Sequence, residues 1–399
     1  MTDPVRPAGP LSGLRVLDLT RLLPGPMATM HLADLGAEVI KIEDTGVGDY
    51  ARSMGAGAAP GQDSLFFRMV NRNKRALRLD LKQAAGIAVF LRLARDADVI
   101  VESFRPGVVD KLGIGYDAVR AVNPRIVYAA ITGYGQTGPW ADHAGHDINY
   151  IATAGLLDQI GTREGARSSA PAIPNLQVGD LLGGALTPLL DILAAVIGAR
   201  ATGQGTHVDV AMTDAVLAHT LFPLVTARAL GGTLPRGGDL LTGGVPCYGV
   251  YRTADERWLA VGALEPKFWQ VLCQTVDRPD LAPHGLATGA EGERVRGELA
   301  AVLASRPLEH WAPIFERADC CVTPVLDITE ALDHPQLRAR GMVTEVAGVT
   351  QYALPIKLSA WSAADATPAP KPGADGDAIL ASAGYTADEI TSLRGGGVI

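Results

Sequence analysis

Short apolar segments alternate with helical patterns through the first 140 residues, and this alternation restricts the fold more than any other feature of the chain. Leu14–Leu19, Val39–Ile42, Asp98–Val101 and Arg125–Ile131 read as strands. Between them lie helical patterns. One opens at Pro24-Gly-Pro26 and runs to Leu35, with Gly36 after it as a C-terminal stop. A second runs from Leu81 to Ala94, with Asp80 placed to cap it, and a third follows Pro106-Gly107. Strands this close in sequence, each followed by a helix, pair in parallel. The expectation is an α/β fold with helices on both faces of a parallel sheet.

Beyond residue 140 the pattern changes twice. An apolar helical block extends from Gly179 to about Arg200, with Gly183, Gly184 and Pro188 marking a bend or a restart. Val208–Val210 reads as a strand and Asp214 to about Leu230 as one helix. Gly231–Gly244 is glycine-rich and reads as a linker. A hairpin-like pair follows, Tyr248–Tyr251 and Trp258–Val261, then two or three helices over 266–318 and a strand at Cys321–Val325. The expected organisation is a large α/β domain over 1–225, a smaller α+β domain over 226–330 and a C-terminal segment over 331–399. That segment holds a short β-like stretch, a Pro/Ala-rich piece near 364–374 and a last helix capped by Thr386.

A length of 399 residues with 47% hydrophobic and 20% charged residues supports sizeable cores. The net charge of −8 argues against binding nucleic acid through an overall positive field, so an anionic ligand needs a local basic patch. The four cysteines and eight histidines show neither a C-x-x-C nor a zinc spacing, so reduced, packed thiols and no metal are expected. No apolar run free of Gly, Pro or charge reaches 18 residues, and Met1-Thr-Asp-Pro4 carries no signal-peptide pattern. No membrane association and a cytoplasmic location are expected.

A doubly wound sheet first suggests a dinucleotide site, but the first strand-to-helix turn reads Thr20-Arg-Leu-Leu-Pro-Gly-Pro26 instead of G-x-G-x-x-G. Three other features carry chemistry. Gly145-His-Asp-Ile-Asn-Tyr150 places a histidine at a helix start, where free N–H groups can meet a developing oxyanion. A surface histidine beside a capping Asp147 is the plainer reading. Asp180, after Asn175-Leu-Gln-Val-Gly179, precedes the apolar helix and is either an acid–base group or an ordinary N-cap. Glu265 precedes Pro266 at a strand-to-helix turn and is equally compatible with simple helix initiation.

Together these segments resemble the class III coenzyme A-transferase (CaiB/BaiF-type) family. The resemblance rests on LSGLRVLDLT at 11–20, DLGAEVIKIE at 34–43, NRNKRALRLDLK at 71–82, ESFRPGVVDKLGIG at 102–115, ATGQGTHVDVAM at 201–212 and DCCVTP at 319–324. GHDINY with GALEPKFW at 262–269 is similar to the α-methylacyl-CoA racemase branch. The resemblance implies a Rossmann-like large domain, a smaller α+β domain, a C-terminal segment returning to the large domain, and a homodimer of interlinked chains. It makes His146 and Asp180 the acid–base pair, with Glu265 reaching the histidine from the partner chain. It also implies acyl-CoA as substrate, with coenzyme A part of that substrate and no separate cofactor.

That chemistry suits the residue types. Inverting a carbon beside a thioester carbonyl requires a base on each face of the α-carbon, and imidazole titrates near neutrality. A partly desolvated Asp180 could serve the other face. The enolate oxygen needs a donor, for which the Asp147 N–H is the candidate, with Gly145 and Tyr150 beside it. For coenzyme A, Lys74, Arg75 and Lys82 cluster in sequence, and the resemblance matches Leu79, Lys82, Phe104 and Lys111 to contact positions. One departure is Asp44 after Glu43, where relatives often place an arginine; its charge would repel a phosphate. The alternative activity is a coenzyme A-transferase with Asp180 as nucleophile, and a third reading is a non-catalytic coenzyme A-binding protein.

Overall fold

The computed structural model describes residues 9–55, 61–164, 167–361 and 366–399; the N-terminal Met-Thr-Asp-Pro and the first residues of the Pro/Ala-rich piece lie outside them. The chain divides into two compact units. The first comprises Met1–Ala154, Leu176–His219 and Ala339–Ile399, and the second Gly155–Asn175 and Thr220–Arg338. The division differs from the 226–330 window in two ways: the second unit begins and ends several residues further out, and it recruits 155–175 from upstream.

The first unit is built on strands β1 (Arg15–Asp18), β2 (Glu38–Glu43), β3 (Arg75–Arg78), β4 (Val99–Glu102), β5 (Val127–Thr132) and β6 (Thr206–Ala211). Their order is β3-β2-β1-β4-β5-β6, with every neighbouring pair parallel. This is the doubly wound Rossmann order, in which the chain reverses direction across the sheet between β1 and β4. Near-continuous apolar strands fit a sheet covered on both faces. Alternate residues supply two cores: Leu17, Ile40, Leu77 and Ile100 face one side, and Val16, Val39, Val99 and Val127 the other.

Helices α1 (Pro24–Asp34), α2 (Ala84–Ala94), α3 (Asp147–Thr153), α4 (Thr187–Thr202) and α5 (Met212–Ala218) surround the sheet in this unit. Pro24 opens α1, and Gly36 follows it with φ of 102°. Asp80 does not cap α2, which starts after Gln83; its carboxylate instead accepts from the Lys82 N–H and the Gln83 amide, closing the turn ahead of the helix. At the C-terminus, Thr386 caps Ala387–Gly395 as expected, and Ile379, Leu380 and Ile390 enter the α2-side core.

The apolar block from Gly179 is continuous but not uniform. Gly179–Leu186 is a wide π-helical segment that passes into α4. Pro188 has no N–H to return to the Gly184 carbonyl, and the Thr187 hydroxyl donates to the Leu182 carbonyl at 2.8 Å. Gly183 and Gly184 let this segment touch its neighbours, since a Cβ at Gly184 would stand 2.4 Å from Pro24 Cβ and 2.8 Å from Met212 Sδ. Gly179–Thr202 is long and apolar enough to cross a bilayer by length and composition, with mean hydropathy of 1.9. In the fold its Leu189, Ile192, Val196 and Ala199 pack into the sheet core.

The single helix expected from Asp214 to Leu230 is two. After α5 the chain breaks at His219–Thr220 and resumes as α6 (Leu221–Leu230) in the second unit. Pro223 cannot donate to the His219 carbonyl, which ends the first helix. Further along the second unit, strands β7 (Tyr248–Arg252), β8 (Trp258–Gly262) and β9 (Val322–Pro324) form an antiparallel sheet of order β9-β8-β7. Helix α7 (Pro266–Thr275) follows β8, and the core gathers Trp269, Leu272, Leu299, Trp311 and Phe315. None of the residues of α6 is buried; Leu221, Phe222, Leu224, Val225 and Leu230 all stand exposed.

Candidate active site

A cleft of about 540 Å³ opens at the carboxyl ends of β1, β4 and β5. It is lined by Arg21–Pro24 after β1, Ser103–Pro106 after β4 and Ile131–Gly133 at the end of β5. It therefore lies at the switch point of the sheet, where open α/β sheets bind ligands. Helices α1, α3 and α5 and the Gly179 segment all begin close to it: Pro24, His146, Asp180 and Met212 are lining residues. Helix N-termini direct unpaired N–H groups and partial positive charge outward, which suits a site where negative charge develops.

His146 is the residue preceding α3, exposed, with its backbone N–H donating to Asn149 Oδ1 at 3.0 Å. The N–H of Asp147, first residue of α3, has no acceptor within the helix by the geometry of a helix start. Tyr150 anchors this turn. It is buried, and its hydroxyl donates to the Gly145 carbonyl. A Cβ at Gly145 would stand 2.7 Å from Tyr150 Cε1, and one at Gly133 only 2.2 Å. The ring thus occupies space that only glycine leaves. Burial, with Asp180, Tyr134 and Asp147 nearby, pushes the Tyr150 phenol up to about 12, so it acts as a neutral donor.

Asp180 lies in the first turn of the π-helical segment, half-buried, with its backbone N–H donating to Asp147 Oδ1 at 3.1 Å. Burial and the Asp147 charge push its carboxyl up to about 6, while His146 pulls the other way. His146, Asp180, Gly145, Tyr150 and Phe104 thus line one cleft.

The residues read for coenzyme A separate on inspection. Leu79 is fully buried in the α2-side core, so its side chain is closed to a ligand. Lys74 is also buried, 2.9 Å from Asp18 and from the Pro26 carbonyl and 2.8 Å from Asn71 Oδ1, and is not a phosphate contact. Arg75 pairs with Glu38. Lys82 and Lys111 are exposed, and neither lines the cleft. Asp44 is matched by Arg21 at 2.7 Å, so its charge is compensated within the chain. The Arg21 guanidinium also lies 5.4 Å from the Tyr50 ring centroid and 5.7 Å from that of Phe104. Glu265 precedes α7 in the second unit and is exposed.

Among the lining residues that the sequence reading did not assign to the site are Arg21, Arg105, His143 and Met212. Arg105 stands within the ESFRPGVVDKLGIG segment at 102–115, and a basic residue shortly after a strand end was the available signal. His143, stacked on Trp140 at 5.3 Å, carried no such signal. Among the described residues no group of three or more His, Cys, Asp or Glu stands together in a way that could hold a metal ion.

Comparison with known proteins agrees with this architecture. Residues 11–376 match the family described as CoA-transferase family III. The chain is 35% identical over 392 residues to the alpha-methylacyl-CoA racemase of Homo sapiens, covering 98% of this chain and 97% of the relative. It is also 35% identical over 378 residues to the acetyl-CoA:oxalate CoA-transferase of Acetobacter aceti, covering 94% of each. The crystal structure of a CAIB/BAIF family protein from Brucella suis superposes with a TM-score of 0.80 at 28% identity, covering 94% of this chain and all of that one.

Proposed function

The chain belongs to CoA-transferase family III, and we propose that it epimerises 2-methylacyl-CoA thioesters by moving the α-proton between His146 and Asp180. The observation that carries the reading is that both side chains line one cleft with Asp180 raised to about 6. A carboxyl titrating there exists in both forms near neutrality and can act as base toward one epimer and acid toward the other. One residue removes the proton from Cα, the electron pair moves onto the thioester oxygen, and the other residue returns a proton to the opposite face. The Asp147 N–H is the proposed donor to the enolate oxygen. The reaction draws on no cofactor beyond the coenzyme A of the substrate.

In the same reading Glu265 comes from a second copy of the chain and orients the His146 imidazole. The exposed apolar surface of α6 supports such a homodimer. Coenzyme A would lie toward Arg105, Lys82 and Lys111, whose charges supply local cations on a net-negative protein.

The likeness to acetyl-CoA:oxalate CoA-transferase favours a second reading, in which the Asp180 carboxylate attacks the thioester to give a mixed anhydride and CoA thiolate, a free carboxylate displaces the first acyl group as its carboxylate, and the thiolate takes the new acyl group and frees Asp180. One experiment separates them. Each pure 2-methylacyl-CoA epimer is incubated in D2O, with succinate in a parallel reaction. Deuterium at C2 with loss of chirality supports epimerisation. Succinyl-CoA without C2 exchange supports transfer and overturns the first reading.

A further inference from the structure

We propose that Asp147 is a positioning residue whose side-chain carboxylate holds the start of the Gly179–Thr202 run and thereby fixes Asp180 beside His146. The inference rests on the epimerase reading for its consequence, and on geometry for its substance. Asp147 Oδ1 accepts the Asp180 N–H at 3.1 Å across two helices that are distant in sequence. That N–H is one of the donors a helix start leaves without an internal partner. A carboxylate there meets both the donor and the positive end of the helix dipole, as a capping side chain does within its own helix. The approach depends on Gly179, because a Cβ there would lie 3.1 Å from Asp147 Oδ1 and 3.3 Å from Tyr150 Cβ.

The contact is also needed because the segment it starts is unusual. Gly179–Leu186 is π-helical, a rare geometry that recurs at functional sites. A side chain from α3 holds its start from outside. Asp147 therefore has two separable contributions. Its N–H survives any substitution except proline, and its carboxylate can be changed without touching that N–H.

The charge has a consequence for protonation. The groups of α3 that act on Asp180 are Asp147 and His146, with the Tyr150 phenol beside them. Pro24 of α1 and Met212 of α5, which meet the same segment at Gly184, carry no charge, and Arg21, Arg105 and His143 line the same cleft. Burial comes first in raising Asp180, the Asp147 charge adds to it, and His146 opposes both.

Two variants test the proposal on the full-length protein. Asp147→Asn keeps an oxygen for the Asp180 N–H and removes the charge; Asp147→Ala removes both. The readout is the Asp180 titration midpoint, followed by NMR of carboxyl-labelled aspartate and assigned by loss of the signal in Asp180→Asn. Asp147→Asn should lower that midpoint by roughly half a pH unit or more, with thermal stability retained. Asp147→Ala should lower the melting temperature and reduce kcat for C2 deuterium exchange at least tenfold, with KM changed less than twofold. An unchanged midpoint in Asp147→Asn, or an Asp147→Ala protein with unaltered melting temperature, overturns the proposal. Because midpoint and melting are read without substrate, they decide Asp147 even if the unmodified protein exchanges no C2 proton, a result that would count against the epimerase reading alone.

Discussion

The Lys74 ammonium lies 2.9 Å from Asp18 Oδ2, with both side chains fully buried. Burial pushes the Asp18 carboxyl up, but Lys74, Lys41 and the hydroxyls of Thr20 and Thr29 overcome it and hold Asp18 down at about 2. The same burial draws Lys74 to about 8, so the two form an ion pair at neutral pH. They join the end of β1 to the turn before β3, directly beneath the loop that begins the cleft. Removing one partner strands the other charge in the core. Lys74→Ala should destabilise the protein by about 3–5 kcal/mol, while leaving KM for acyl-CoA in the surviving folded fraction within twofold. Because Asp18 is lowered, its stabilisation is present above about pH 4 and is lost as the pH falls towards 2. Denaturant melts at pH 7 with parallel kinetics check this. A stable Lys74→Ala protein with raised KM would return the lysine to the phosphate site.

The exposed cations are the better candidates for coenzyme A. Phosphate contacts hold the ground state and the transition state alike, so their loss raises KM and leaves kcat nearly unchanged. Lys82→Ala, Lys111→Ala and Arg105→Ala should each raise KM several-fold, with Arg105, the one that lines the cleft, largest. Steady-state kinetics at two salt concentrations provide the check. Equal falls in kcat at constant KM would show that these residues act on the chemistry instead.

Glu102 ends β4 directly ahead of the Ser103–Pro106 lining. It is buried, and Glu102 Oε2 accepts the Phe104 N–H at 2.6 Å. Burial pushes its carboxyl up to about 8; the Phe104 bond opposes this, and Asp110 adds to it. An unfolded glutamate loses its proton near 4.3. Between about pH 4.3 and 8 the folded chain therefore binds a proton that the unfolded chain does not, and stability falls as the pH rises through that window. Glu102→Gln keeps an oxygen for Phe104 and has no proton to lose. It should be more stable than the parent by roughly 1–3 kcal/mol at pH 8 and show a smaller gain at pH 5. Equal differences at both pH values would mean that Glu102 does not stay protonated in the fold.

The parallel sheet, the Pro24 helix and the Thr386 cap were legible because each depends on neighbours in sequence. Val16-Leu17, Val39-Ile40 and Val99-Ile100 present one apolar residue to each face, which a two-sided sheet requires. The pairing of Lys74 with Asp18 was not legible, because its partner lies 56 residues away and a lysine in a basic stretch reads as solvated. The wide turn at Gly179 has the same apolar spacing as an α-helix, and Gly183, Gly184 and Pro188 marked a bend there without revealing its kind. The break at His219 was hidden by the apolar pattern that continues through Pro223. His146 and Asp180 were found as residue types at helix starts. Their meeting in one cleft depends on the sheet order, which places the ends of β1, β4 and β5 together.

Gly145→Ala should disable the site through packing. The added Cβ meets Tyr150 Cε1 at 2.7 Å and the Tyr134 hydroxyl at 3.1 Å, and the Tyr150 ring is itself closed in by Gly133. With no room to retreat, Tyr150 must move and take the turn carrying His146 with it. The expected outcome is a loss of about 1–3 kcal/mol of stability and a fall of at least tenfold in exchange. Tyr150→Phe, which loses only the hydrogen bond to the Gly145 carbonyl, should fall less on both measures. A Gly145→Ala protein with full activity would show that the turn is more plastic than this packing allows.

The two bases should not be equivalent, and pH distinguishes them. In the proposed epimerisation, one epimer would present its α-proton to Asp180 and the other to His146. For the first, exchange requires an ionised Asp180, so kcat/KM should fall about tenfold per unit as the pH drops below about 6. For the second, inversion requires Asp180 as proton donor, so the net inversion rate should fall as the pH rises above the same point. Asp180→Asn removes the base and keeps the shape. It should abolish C2 deuterium uptake from the first epimer by about 10²–10⁴-fold, while the second still exchanges through His146 without inverting. His146→Ala should produce the mirror result. Deuterium wash-in at C2, measured on each pure epimer with each variant across pH 5–8, reads all four cases. If Asp180 is a nucleophile instead, Asp180→Asn should remove acyl transfer entirely, and His146→Ala should be mild. Equal loss from both epimers in both variants contradicts a division of labour between two bases.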